Sequence, residues 1–334
     1  MTKPATADSL TPASPYPRRL AAYLHERFPP AAHGVMIVSY FSANQFLAQA
    51  LVYGDRPLQY TLGSLLGAIT VLCIFFHLRV FDEHKDYADD CRHYPDRVLQ
   101  RGLITLRELA QLGTVAICLE LLCSACWRPL PQPAALVSVL LALAYSLLMR
   151  YEFFMPTLLR AHFLLYAVSH MLIMPLLAIV VFSFATGRFL WQAPAWFWLY
   201  AWVGFFVTFN WEISRKVRAP EDERDGVDSY SKIFGTFGAA YLVLVVRVID
   251  TAMVAVVGYH LGLSPWFYVA ITALFFLCLI GVVHYRLHPE RRTAKRLELY
   301  AGLYIVAFDA ALATELVQRQ GVVWRWWPEL GVGS

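Results

Sequence analysis

The stretch Asp82-Glu83-His84-Lys85-Asp86-Tyr87-Ala88-Asp89-Asp90 follows directly on an apolar run. A helix continued through it repeats Asp82, Asp86 and Asp90 every four residues and stacks them on one face. Like charges at that spacing repel one another and weaken a bare helix. A positive partner is needed to offset the repulsion. Mg²⁺ suits the position, because it takes hard oxygen ligands, usually one or two carboxylates together with substrate phosphates. On spacing alone, the competing reading is a solvated acidic helix end. The surrounding chain decides between them.

Hydrophobic residues make up 58% of the 334 residues and charged residues only 16%. That balance excludes an ordinary soluble domain. The net charge of +4 is small and its basic residues cluster in loops, so there is no nucleic-acid footprint. Cys73, Cys118, Cys123 and Cys278 lie in apolar runs and Cys126 at the end of one, which reads as buried helix cysteines rather than a disulfide framework. Residues 1–17 are rich in Pro, Ser, Thr and Ala, with no apolar core of a signal peptide, and read as a flexible tail.

Nine apolar segments approach the length needed to span a bilayer core of about 30 Å. They fall near 33–53, 61–81, 107–127, 133–150, 156–183, 190–212, 238–260, 264–285 and 297–318. No long two-residue alternation competes, so the expectation is an all-α integral membrane protein. Its main domain is residues 18–320, followed by a Trp-rich tail, 321–334. Most of the 28 Lys and Arg residues fall in the N-terminal region and in every second loop. The positive-inside rule then puts the N-terminus and the acidic loop in the cytoplasm and the C-terminus outside. Trp324-Arg325-Trp326-Trp327 suits an interfacial anchor.

Two loops on the basic side mix carboxylates and cations densely. One runs from Arg79 to Arg107, the other from Glu212 to Gly238. A bound diphosphate accounts for the mixture: Mg²⁺ bridges carboxylates to phosphate oxygens, and Arg and Lys contact the rest. Such a site stabilises diphosphate as a leaving group when an allylic C–O bond breaks. Aromatic faces stabilise the cation that develops.

The stretch Asp82-Glu83-x-x-Asp86-x-x-x-Asp90 resembles the Asn-Asp-x-x-Asp-x-x-x-Asp pattern that UbiA-type intramembrane prenyltransferases carry after the second of nine transmembrane helices. Arg97 is followed by Val98 where the family often has Pro, with Arg101-Gly102 downstream. Tyr145-Ser-Leu-Leu-Met149-Arg150 resembles the family's Tyr-x-x-x-Lys-Arg, with Met in place of Lys. Asp222-x-x-Asp225-Gly226-Val-Asp228-Ser229-Tyr230, then Gly235, is similar to the second Asp-rich motif, with Arg218 where an upstream Asp is usual. The resemblance covers roughly residues 20–318.

It implies a UbiA-like bundle with a central cavity capped by cytoplasmic loops, in a bacterial-type inner membrane. It implies Mg²⁺-dependent transfer of a prenyl group from an isoprenoid diphosphate to a small, aromatic or lipophilic acceptor. The metal ligands implied are Asp82, Glu83, Asp86, Asp90, Asp222 and Asp225. Arg97, Arg101, Arg150, Lys216, Arg218, Lys232 and Asn44 are the implied diphosphate contacts, and Tyr145 joins Asp82, Asp86, Asp90 and Asp222 as a candidate catalytic residue. For each basic residue, positive-inside signalling and loop ion pairing are the alternatives.

Within the spans, Asn44 and Gln45 either line the cavity or hydrogen-bond between helices. Glu120 and His170 are isolated ionisable groups, His170 reading best as a satisfied interhelical histidine. Arg247 and Asp250, three residues apart, are placed to pair. Three other activities stay open: a terpene cyclase on the same scaffold, transfer of a ribose phosphate to a polyprenyl phosphate, and a transporter. Against the last, the densest charge lies at helix ends rather than at the midplane.

Overall fold

The computed structural model describes residues 10–126 and 133–326. Residues 1–9 of the expected N-terminal tail, and the C-terminal tail from Trp327 onward, lie outside the described residues. The helices are α1 (Tyr16–Arg27), α2 (Pro30–Tyr53), α3 (Leu62–Lys85), α4 (Tyr87–His93), α5 (Leu106–Cys126), α6 (Pro133–Arg150) and α7 (Pro156–Ala161). They continue with α8 (Phe163–Met171), α9 (Ile173–Thr186), α10 (Ala195–Arg215), α11 (Tyr230–His260), α12 (Pro265–Leu287) and α13 (Arg291–Gln320). Two short strands, β1 (Leu58–Thr61) and β2 (Val322–Arg325), and three single-turn 3₁₀ helices, Glu152–Phe154, Leu190–Gln192 and Pro220–Asp222, complete the described structure.

Eight spans among the described residues are long and apolar enough to cross a membrane: α2, α3, α5, α6, the joined α8–α9, α11, α12 and α13. The remaining expected segment, the sixth (190–212), forms α10. At about 1.5 Å per residue it is roughly 31 Å long, but Trp196, Trp198, Trp202, Trp211, Asn210 and Glu212 make it less apolar than the eight. It packs among them, against α9, α11 and α13.

Local sequence explains the joints. Pro30 and Pro265 open α2 and α12, where a missing N–H costs nothing. Thr61 caps α3 in a reciprocal box with Ser64. The expected fifth span, 156–183, is in fact broken into α7, α8 and α9. The last break, at Leu172, lies just before Pro175, whose ring cannot continue the ladder at Met171. The expected seventh span begins earlier than 238, at Tyr230, and bends at Gly235, where φ is +69°.

Helix α9 is apolar all round and buried from Ile173 through Thr186, with the sole exception of half-buried Leu176, so it forms the axis of the bundle. Val35, Val38, Val115, Leu122, Val269 and Phe276 point outward, an apolar exterior that suits lipid. Cys73, Cys123 and Cys278 are buried as expected, whereas Cys118 and Cys126 face outward; all are free thiols. The Arg247–Asp250 pair forms, at 2.9 Å, with Asn210 Oδ1 accepting from Arg247 Nη2 at 2.8 Å.

Ion pairs fix which ends share a side. Arg27, just before α2, pairs with Glu83 at the end of α3, and Arg291, opening α13, pairs with Asp222 after α10. The opposite side carries the two strands. There β1 pairs in parallel with β2, Leu58 opposite Val322. Part of the Trp-rich tail is thus a strand, a pairing that four-residue segments far apart in sequence do not announce. Gln45 and Gln49 of α2 hold β1 through the Gln59 backbone at 2.9 and 3.0 Å, which makes Gln45 a structural residue rather than a cavity one.

Candidate active site

Asp86 sits at the bend between α3 and α4, yet the helical ladder runs on through it. Asp86 N donates to Asp82 O at 2.9 Å and Asp90 N to Asp86 O at 2.8 Å. The three aspartates therefore keep their four-residue succession. Lys85 Nζ donates to Asp82 Oδ1 at 3.2 Å and to the Tyr166 hydroxyl at 2.6 Å. Asp90 Oδ2 accepts from Arg97 Nη1 at 2.7 Å. The half-buried Asp86 carboxylate makes no hydrogen bond or ion pair among the described residues. Burial pushes it up to about 6, against the pull of Lys85 and with the charges of Asp82 and Asp90 adding to the rise. Glu83 points elsewhere. It is buried, 2.7 Å from Arg27 Nε and 3.3 Å from Arg79 Nε, and ties α1 to α3 instead of joining the other carboxylates.

The second loop begins at Glu212, whose carboxylate takes Arg215 Nε at 2.5 Å and Lys216 Nζ at 2.8 Å. Lys216 Nζ also lies 4.9 Å from the centre of the Phe163 ring and 5.9 Å from that of Tyr166. Tyr166 is thus flanked by Lys85 from one motif and Lys216 from the other, and its ring stacks on His170 at 4.0 Å. His170 Nδ1 lies 2.8 Å from the Tyr166 carbonyl, but Nε2 is buried without a partner, so the histidine is only half satisfied.

Glu223 organises the rest of this loop. It accepts from Ser229 Oγ at 2.6 Å and Ser231 Oγ at 2.7 Å, and Ser231 Oγ accepts from Arg218 N at 2.8 Å. Asp222 is engaged by Arg291, with Nε donating at 2.8 Å, and that hydrogen bond holds its carboxyl below the usual carboxylate range. Asp225 is exposed and makes no hydrogen bond or ion pair among the described residues. Lys232 Nζ donates to the Arg224 carbonyl at 3.0 Å.

The two loops interlock at His93 and Tyr94. Arg97 stacks on the Tyr94 ring at 3.7 Å, Arg224 lies 5.2 Å from it, and Arg218 Nη2 donates to its hydroxyl at 3.5 Å. Gly226, with φ +74°, passes so close to His93 that a Cβ there would stand 3.2 Å from the ring.

Other sequence candidates make contacts of their own. Arg150 sits over Phe81 at 4.8 Å. The Tyr145 hydroxyl donates to the Ser169 carbonyl at 2.7 Å, and its ring packs on Phe153. Phe153 belongs to the turn Glu152–Phe154, three consecutive residues with φ near +50°. That conformation costs about 1–2 kcal/mol per residue. Arg101 Nη2 donates to the Leu10 carbonyl at 3.4 Å. Asn44 is deep in the bundle, its Nδ2 donating to the Tyr40 carbonyl at 2.9 Å.

The structure thus gathers Asp82, Asp86, Asp90, Arg97, Lys216 and Arg218. It gives Glu83 and Asp222 to structural ion pairs. It adds residues the sequence reading did not select: Lys85, Tyr94, Tyr166, Glu212, Arg215 and Arg224. Lys85 had a signal, its place three residues from Asp82. Nothing in sequence places Tyr166 between the two lysines.

Among the described residues, no three His, Cys, Asp or Glu side chains form a ready-made metal cage. The unpartnered Asp86 beside Asp82 instead fits a cation that takes one or two carboxylates and completes its shell with phosphate oxygens and water. Below this charged layer, a cavity of about 340 Å³ opens between α2, α10 and α13. It runs from His33 and Trp211 at the charged side to Asn44, Tyr200 and Asp309, and its walls are mostly apolar.

An all-α membrane protein with two interlocked acidic and basic loops over an apolar cavity has the plan of an intramembrane enzyme for amphiphilic substrates. Residues 43–305 match the pattern of the UbiA prenyltransferase family, and the chain belongs to that family. The fold agrees with two solved structures. One is of a digeranylgeranylglyceryl phosphate synthase, 17% identical, TM-score 0.59, covering 90% of this chain and 99% of that one. The other is a UbiA homologue from Aeropyrum pernix K1, 16% identical, TM-score 0.60, covering 86% and 98%. No protein of curated function matches the chain in sequence.

Proposed function

We propose that this protein transfers a prenyl group from an isoprenoid diphosphate to a small lipophilic acceptor, with Mg²⁺ and with its loops on the cytoplasmic side. The observation that carries this reading is the meeting of Asp82 and Asp86 with Lys85 and Lys216 around Tyr166, on the same side of the bundle as the His33–Trp211 end of an apolar cavity. Asp82 and Asp86 hold the metal, which supplies positive charge to the diphosphate when bound. Lys85, Lys216 and Arg215 neutralise the remaining oxygens. The Tyr166 and Phe163 rings present π-faces to the allylic cation that develops as the C–O bond breaks. The apolar walls take the hydrocarbon chain. Asp90 anchors Arg97, and the Tyr94 junction keeps the second loop over the first.

The test is diphosphate release by purified, detergent-solubilised protein given Mg²⁺ and geranyl, farnesyl or geranylgeranyl diphosphate, with and without phenolic acceptors. A prenylated adduct that forms only with acceptor, and is lost in Asp86→Asn, is the expected result. A hydrocarbon or terpene alcohol formed without acceptor would assign a cyclase instead. No release from any donor would overturn the reading.

A further inference from the structure

The cavity's far end is polar, although nothing charged in the loops reaches it. Asn44, Tyr200 and Asp309 line it from α2, α10 and α13. Measured along its own helix at about 1.5 Å per residue, each lies roughly 21–27 Å from the charged end. Asp309 is 4% exposed, and its Oδ1 accepts from the Tyr200 hydroxyl at 3.0 Å. Its second oxygen has no hydrogen-bond partner among the described residues. Asn44, which lines the same cavity, is 1% exposed, and its Oδ1 is enclosed with no partner among the described residues. Polar atoms in such a place are costly to cover with hydrocarbon, because hydrocarbon offers them no hydrogen bond. An ionisable residue at membrane depth marks function more often than packing.

We propose that Asp309 and Asn44, with Tyr200 orienting Asp309, form a polar floor that stops the hydrocarbon chain of the donor and so sets its permitted length. A chain that ends short of the floor leaves water on the second Asp309 oxygen. A longer chain must displace that water and gains nothing in return. This rests on the diphosphate-donor reading above, and it assigns the floor residues a role in specificity and none in bond breaking.

The experiment compares geranyl, farnesyl and geranylgeranyl diphosphate on the wild-type protein, Asp309→Leu and Asp309→Asn. Two readouts are taken: relative kcat/KM, and thermal stabilisation by each donor without acceptor. In the wild type, both rise with chain length and then fall at the length that meets the floor. Asp309→Leu keeps the branched shape, adds a little bulk and removes the polarity, and it shifts preference toward the longest donor at least tenfold. Asp309→Asn keeps the polarity and retains the wild-type profile. Length profiles that superimpose in all three proteins overturn the floor, as does a loss in Asp309→Leu that is equal for every donor. Wild-type protein that neither binds nor cleaves any donor overturns the donor reading itself and the floor with it. Should Asp309→Leu not fold, Asn44→Leu carries the same expectation.

Discussion

Replacing Asp86 by Asn should abolish turnover and, at the same time, stabilise the metal-free fold. The half-buried Asp86 carboxylate has no counter-ion of its own, and burial beside Asp82 and Asp90 lifts it from 3.8 to about 6. A folded-state value above the unfolded one means the folded protein binds the proton more tightly. The contribution of Asp86 to stability is therefore greatest below pH 3.8, falls as pH rises to 6, and stays reduced above it. At about 1.4 kcal/mol per tenfold change in proton affinity, the full penalty is about 3 kcal/mol. Partial exposure to solvent screens it to about 1–2 kcal/mol. Asn removes the charge and the penalty together. For a chain of this size, that is a rise of a few degrees in thermal midpoint. The assay is thermal unfolding in detergent with chelator, at pH 8 and at pH 5. The variant should lead the wild type at pH 8, and the gap should shrink to about half at pH 5. Adding Mg²⁺ with diphosphate should stabilise the wild type and not the variant. A variant less stable than wild type at pH 8 would refute the reasoning, since it would mean Asp86 has a structural partner.

Two further outcomes test the surrounding framework. Arg247→Met leaves Asp250 buried without its ion pair and should cost about 3–5 kcal/mol in thermal or denaturant unfolding. Adding Asp250→Leu should recover most of that, and a double mutant no better than the single would show that the network is not the source of the loss. Tyr94→Ala removes the ring between Arg97 and Arg224 and should raise the donor KM severalfold with little change in thermal midpoint. An unchanged KM would free the loop junction of any role in binding.

How much was legible in the sequence varies by residue. Composition and the apolar segments announced a helical membrane protein, because a bilayer admits few other solutions to backbone hydrogen bonding. The succession Asp82, Asp86, Asp90 was visible because helical periodicity is local, and it survives the bend at Asp86. The Arg247–Asp250 pair was visible for the same reason. Glu83 and Asp222 looked like their neighbours in sequence. Their partners, Arg27 and Arg291, stand 56 and 69 residues away, so only the fold assigns them to structure.

The sequence by itself determined what kind of solvent this chain lives in, where its charges accumulate and which stretch stacks three aspartates. These follow from composition and short-range period. Only the tertiary structure decided which charges meet. It set Tyr166 between Lys85 and Lys216, closed the two loops on Tyr94, joined β1 to β2, and put Asn44 at the bottom of a cavity with Asp309 instead of among the diphosphate contacts. Those contacts join helices distant in the chain, and their geometry comes from the packing of the whole bundle around α9.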